Sequence, residues 1–219
     1  MAETSRSRGL LAGLQCTWRE SAVKDAPLVV LLHGLTGDED VMWGLEPVIP
    51  RHAFSIAPRA PFAFAGGGFS WVDPAEGLDP ALPAYAGSVR LLAAMVAAAP
   101  VRAGEREVVL MGFSQGAALA LAGVALGQLA PSAVVVMAGL LPPGELPAWP
   151  GVPVYWGHGL HDELVPVERA RRDVARLEGA GAPVTYCEAD VGHKLGPECL
   201  KGLRRWLAGL GLDERPTQA

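Results

Sequence analysis

The chain has 219 residues, of which 50% are hydrophobic and only 19% charged, a length and balance that suit one domain over 1–219 with a large core and exclude a disordered chain. Its 18 Lys+Arg against 23 Asp+Glu leave a net charge of −5, so the basic surface of a nucleic-acid binder is missing. The three cysteines, Cys16, Cys187 and Cys199, are an odd number without a CxxC pair, and read as reduced thiols of a cytosolic protein, neither a disulfide framework nor a zinc site.

In chain order, Arg6 and Arg8 precede a very short apolar patch over 10–14 with no convincing cleavage site, which is not a signal peptide, and a cytoplasmic protein is expected. A weak strand over 14–18 is followed by strong ones over 28–32 and 53–57. The Gly/Pro-rich stretch 57–83 contains Gly66-Gly67-Gly68 but also Phe62, Phe64, Phe69 and Trp71, and reads as a functional loop, too aromatic for a tether. A helix over 85–99 puts Leu91, Leu92, Met95, Val96 and Ala99 on one face. Strands over 108–111 and 133–137 flank a helix over 117–129. A strand over 152–156, a helix over 167–178 with a charged outer face, a strand over 184–187, a helix over 197–210 and a frayed tail over 213–219 complete the chain. Strands alternating with helices specify an α/β fold, with a mostly parallel sheet of six or seven strands, helices on both faces and no large cap. Continuous apolar strands are what burial on both faces requires.

Between Glu107 and Glu145 no residue is charged, long enough to raise a membrane span. Gly112, Ser114, Gln115, Gly116, Gln128, Pro131 and Ser132 interrupt the run, and its densest apolar parts are strand-length. A buried strand–helix–strand is the better reading, without stable membrane insertion.

The same run contains the clearest chemical signal. Strand 108–111 leads into Gly112-Phe113-Ser114-Gln115-Gly116 and then a helix. A serine hydroxyl can attack a carbonyl from such a tight strand-to-helix turn, and glycines two positions to either side relieve clashes with the backbone. The helix then directs its first N–H groups at the developing oxyanion. The five-residue pattern alone is a weak signal, for an idle serine in a packing turn also satisfies it.

A base and an acid strengthen it. In the hydrolase order the acid and then the histidine follow the serine. His33 and His52 precede Ser114, and His158 and His161 have only Glu145 before them after the serine. His193, between the last strand and the last helix, remains as the base. Asp162 follows strand 152–156, Asp173 lies on the charged helix where water would solvate it, and Asp190 is close in sequence to His193; Asp162 is the preferred acid. His158-x-x-His161-Asp162 also permits a metal reading, but it lacks the helical H-E-x-x-H spacing and a third-ligand motif, so no metal site is assigned. The oxyanion donors are then the N–H of Gln115 and that of Leu35 in His33-Gly34-Leu35 after strand 28–32.

Taken in order, Leu32-His33-Gly34-Leu35, Pro58-Arg59-Ala60-Pro61, Ser70-Trp71-Val72-Asp73, Gly112-Phe113-Ser114-Gln115-Gly116, His158-Gly159 with Asp162, Val165-Pro166, and Gly192-His193 resemble the phospholipase/carboxylesterase family, which includes the acyl-protein thioesterases. The resemblance covers residues 28 to 193. It implies an α/β-hydrolase fold, nucleophile Ser114, acid Asp162, base His193, backbone donors Leu35 and Gln115, and no cofactor. The substrate would be a small ester or thioester, or a lysophospholipid, with Phe62, Phe64, Phe69, Trp71 and Leu35 available to line an acyl pocket or simply to fill core. A lactone, dienelactone or peptide substrate, and a fold that only binds, are the competing readings. The resemblance and the apolar composition also raise a homodimer, for light scattering to test. Gly66-Gly67-Gly68 and Lys194 depart from the family pattern, so acyl-chain preference and pH optimum are not carried over.

Overall fold

The structure, a computed structural model, describes residues 6–23, 26–99 and 107–211. Its strands are β1 (Ser7–Leu11), β2 (Leu14–Arg19), β3 (Leu28–Leu32), β4 (Phe54–Pro58), β5 (Phe62–Ala63), β6 (Phe69–Ser70), β7 (Val108–Phe113), β8 (Ala133–Met137), β9 (Val154–Gly159) and β10 (Val184–Ala189). The helices are α1 (Ala86–Ala98), α2 (Gln115–Ala125), α3 (Val167–Gly179) and α4 (Pro197–Gly209), with a 3-10 segment at Val41–Val48. Eight strands form one sheet in the order β1-β2-β4-β3-β7-β8-β9-β10. Neighbours from β4 to β10 pair parallel, while β2 pairs antiparallel with both β4 and β1.

Residue alternation divides the core in two. Val30, Leu32, Leu110, Val134, Val136 and Trp156 face α1, α2 and α3, which contribute Leu92, Met95, Leu119, Val174 and Leu177. Val29, Leu31, Val109, Met111, Val135 and Tyr155 face the opposite way, toward Trp43 of the 3-10 segment and Leu203 and Leu207 of α4. β3, β4, β8 and β9 are buried at every position, whereas edge strand β1 alternates half-buried and exposed. The uncharged run is β7, α2 and β8. Every residue of α2 from Gln115 to Val124 is buried, because the helix is packed against the sheet on one side and α1 on the other. No helix among the described residues is long and apolar enough to cross a membrane.

Several expectations change. The sheet has eight strands, not six or seven, because β1 carries only weak apolar alternation and is stabilised by antiparallel pairing with β2. The 57–83 stretch holds a hairpin, β5 on β6. Asp173 is buried, not solvated: its Oδ2 accepts the Leu141 N–H at 2.9 Å, and burial pushes its carboxyl pKa up. Cys187 and Cys199 are not reduced thiols but a disulfide, leaving Cys16 as the free, buried cysteine. Counting cysteines missed it because the pair meets only where the chain after β10 doubles back into α4, with Cα atoms 5.7 Å apart. The cysteines therefore no longer indicate a reducing compartment. The tail over 213–219 lies outside the described residues.

One buried charge cluster ties the N-terminal edge to the middle of the chain. Glu39, fully buried, receives Arg59 Nε at 2.5 Å and Nη2 at 2.7 Å and also pairs with Arg8 of β1. Burial alone would raise its pKa, but the Arg59 hydrogen bonds and the charges of Arg59 and Arg8 outweigh it and hold the carboxyl below the usual 4.5. A carboxyl with a depressed folded pKa contributes stability that is complete above its unfolded value and lost as pH falls through the folded one. Glu39→Gln is therefore expected to be less stable than the parent at pH 7 by about 2 kcal/mol. Urea unfolding should show the gap closing as the pH drops below 4.5.

Candidate active site

The carboxyl ends of β3, β7, β9 and β10 converge on one edge of the sheet, where open α/β sheets bind ligands. Ser114 stands between β7 and α2 at φ 51° and ψ −117°, a conformation L-residues rarely adopt. The turn is held because the Ser114 N–H donates to Met137 O of β8 at 2.9 Å, and Ser114 O accepts from the Ala117 and Ala118 N–H groups. The flanking glycines are required by close approach. A Cβ on Gly112 would lie 2.4 Å from Ala117 Cα, and one on Gly116 would lie 2.2 Å from Leu32 O and 2.5 Å from His33 O. These neighbours are backbone and cannot swing aside. Gly116→Ala is expected to lower unfolding stability by about 3 kcal/mol in a urea titration.

Asp162 and His193 meet across the β9 and β10 loops. His193 Nδ1 lies 2.7 Å from Asp162 Oδ2, and Asp162 Oδ1 accepts the Leu164 and Val165 N–H groups at 3.0 and 2.8 Å. Asp162 is 5% exposed and the His193 side chain 17%, so the acid is buried and the imidazole partly open to solvent. The His193 ring is 5.0 Å from that of Phe113, the residue before Ser114. His158, fully buried, donates Nε2–H to Val165 O at 2.8 Å and lies 3.4 Å from Asp162 Oδ2. It clamps the 162–165 turn whose N–H groups hold the acid. His161 and Asp190 pair with each other on the exposed surface at 2.6 Å. Among the described residues no group of three His, Cys, Asp or Glu could hold a metal ion.

The turn after β3 lies against the serine, since a Cβ on Gly34 would sit 3.2 Å from Ser114 Cβ and 3.0 Å from Phe113. His33 is fully buried. Its Nε2 accepts the Ala60 N–H at 3.0 Å, so Nδ1 carries the proton and donates to Gly34 O at 2.7 Å. Burial pulls its pKa down, which keeps this neutral form. The β5–β6 hairpin braces the same turn from outside, through Thr36 N–H to Phe69 O at 3.0 Å and Phe69 N–H to Gly37 O at 3.1 Å.

The aromatics separate by position. Phe62 is exposed and Phe64 half-buried on the hairpin, whereas the Phe69 ring packs under the Arg59 guanidinium. Trp71 is fully buried core, its Nε1–H donating to His33 O at 2.7 Å. Sequence reasoning assigned no part to the Gln115 side chain, yet its Oε1 accepts the Trp71 N–H at 2.9 Å and its Nε2 donates to Ser70 Oγ at 3.1 Å. That locks the first residue of α2 to the start of the Ser70-Trp71 segment. The sequence holds a signal for it, because Ser70-Trp71 and Gln115 both stand in motifs that carry the family resemblance.

A family model for Phospholipase/Carboxylesterase matches residues 18–208. A probable carboxylesterase from rice (Oryza sativa subsp. japonica) is 28% identical over an alignment covering 85% of this chain and 79% of that protein. Among solved structures, a carboxylesterase from Mesorhizobium loti superposes with a TM-score of 0.82 at 22% identity, covering 94% of this chain and 100% of the other. The Bacillus cereus carboxylesterase gives 0.79 at 20% identity, covering 90% and 94%. At these identities the structures establish the α/β-hydrolase fold.

Proposed function

Because the chain belongs to the phospholipase/carboxylesterase family, we propose that it is a serine hydrolase cleaving carboxylic esters or thioesters, with Ser114 as nucleophile, His193 as base and Asp162 as acid. The observation that carries the reading is the 2.7 Å hydrogen bond between buried Asp162 and His193 Nδ1, at the sheet edge that also bears Ser114 in its strained turn. Asp162 holds the proton on Nδ1 and leaves Nε2 to take the Ser114 proton as the hydroxyl oxygen attacks the carbonyl carbon. The imidazolium that forms is stabilised by the carboxylate, which stays ionised. The tetrahedral oxyanion is bound by the N–H groups of Gln115 and Leu35, the first at the N-terminus of α2, where the opening N–H groups have no acceptor within the helix. Collapse expels the alcohol or thiol with the proton from His193. Water, activated by the same imidazole, then releases the acid from the acyl-enzyme.

Leu35, half-buried in the turn after β3, and Phe62 and Phe64, on the hairpin that braces that turn, would contact the acyl chain, whereas Trp71 is fully buried and leaves no face for it. The test is a fluorophosphonate probe combined with rates on p-nitrophenyl esters of increasing chain length, an acyl thioester and a lysophospholipid. Labelling of the folded protein and turnover of at least one of these acyl compounds are expected. No labelling of folded protein would sink the serine mechanism, and labelling without turnover of any of these compounds would reassign the substrate.

A further inference from the structure

The Cys187–Cys199 disulfide closes a covalent ring whose midpoint is His193, six residues from either cysteine. Cys187 belongs to β10 and Cys199 to the first turn of α4, so the bond joins the two stems of the loop carrying the proposed base. Each stem is restrained by groups of its own. The first is pinned to the β9 side by Leu160 N–H to Ala189 O at 2.8 Å and His161 N–H to Val191 O at 3.0 Å. The second is held by Tyr155, whose hydroxyl donates to Cys199 O at 2.7 Å, and by Leu195, which packs so close over Gly157 that a Cβ there would meet its Cδ1 at 2.0 Å. The stems also pack on each other at Gly196, where a Cβ would lie 2.4 Å from Ala189 Cβ, and the disulfide links them covalently.

We propose that Cys187 and Cys199 are positioning residues for His193, their disulfide holding the imidazole in register with Asp162, so that turnover depends on the oxidation state of the pair. The inference rests on His193 being the base. Its sensitivity follows from the chemistry, because a misplacement of about 1 Å in a reacting constellation can cost about 10²-fold in rate. Cys187 is half-buried and Cys199 fully buried, so a dithiol attacks at the Cys187 sulfur. The reductant's thiolate bonds to Cys187 Sγ as the S–S bond breaks, and Cys199 leaves as a thiolate that takes up a proton. The second reductant thiol then displaces Cys187, leaving two protein thiols and a cyclic disulfide of the reductant, a two-electron exchange. Cys16 does not compete: it is fully buried, with burial pushing its thiol pKa up to about 12.

The experiment uses the full chain, oxidised with glutathione disulfide or reduced with dithiothreitol, with thiols counted after denaturation. One thiol is expected in the oxidised protein and three in the reduced. On reduction, kcat for a p-nitrophenyl ester should fall about 5–20-fold with KM changed less than about twofold, and recover on reoxidation. Far-UV circular dichroism should stay constant at the assay temperature. The Cys187→Ser/Cys199→Ser double variant should show the reduced rate and no response to dithiothreitol. An unchanged kcat at one and at three thiols, even with a lowered Tm, overturns the proposal, because a purely structural bond would affect Tm alone. So does a count of three thiols that glutathione disulfide cannot lower. If Ser114→Ala and His193→Ala lose activity while reduction leaves kcat untouched, the positioning role alone fails. If both variants retain activity, the underlying assignment of the base fails with it.

Discussion

Ser114→Ala is expected to reduce kcat on a p-nitrophenyl ester by about 10⁵–10⁶-fold and to abolish fluorophosphonate labelling. The loss should be chemical, not structural. Ser114 occupies the N-cap of α2 without a side-chain hydrogen bond to the helix, so removing the hydroxyl takes no cap away. Alanine at φ 51° bears the same backbone strain as serine, and the Ser114 N–H bond to Met137 O belongs to the main chain. Urea unfolding of the variant should therefore match the parent within about 0.5 kcal/mol. Retention of a tenth of the activity, or labelling at the parent rate, would move the nucleophile elsewhere.

Asp162→Asn should lower kcat by about 10³–10⁴-fold with little change in KM, measured on the same ester. The substitution keeps the volume, and the amide oxygen can still accept the Leu164 and Val165 N–H groups that hold Oδ1 at 3.0 and 2.8 Å. What changes is the atom facing His193. An NH₂ group in place of Oδ2 donates to Nδ1, so the imidazole carries its proton on Nε2, where it cannot accept one from serine. Asp190→Asn supplies the control, because Asp190 pairs with His161 on the exposed surface and should tolerate the change with its rate intact. Equal losses at the two positions would contradict the choice of acid.

Much of the molecule is legible in its sequence. Strands over 28–32 and 133–137 coincide with β3 and β8, and the elbow glycines stand where the chain forbids a Cβ. These features depend on neighbours within a few positions: apolar continuity declares a strand buried on both faces, and Gly-x-Ser-x-Gly declares a turn that side chains cannot enter. The preference for Asp162 over Asp173 and Asp190 is an expectation that rests on the same kind of reading, since the end of a strand predicts which edge of the sheet a loop occupies.

Other features escaped because they pair residues distant in the chain, each ambiguous alone. Arg8, Glu39 and Arg59 lie far apart in the chain, and the fold brings both guanidiniums onto the buried Glu39 carboxylate. Asp173 looks solvated on an arginine-rich helix, and is buried because the Leu141 N–H needs an acceptor. Trp71 looks like a pocket wall and is core, because His33 O lies within reach of its indole. Sequence by itself determined the α/β class, the strained serine turn and the candidates for base and acid, because local periodicity, steric exclusion and chain order are written within short segments. Only the tertiary structure decided which cysteines join, which carboxylates are buried and which aromatics remain open to solvent, because those outcomes depend on strand order and loop return, which bring residues far apart in the chain to one edge.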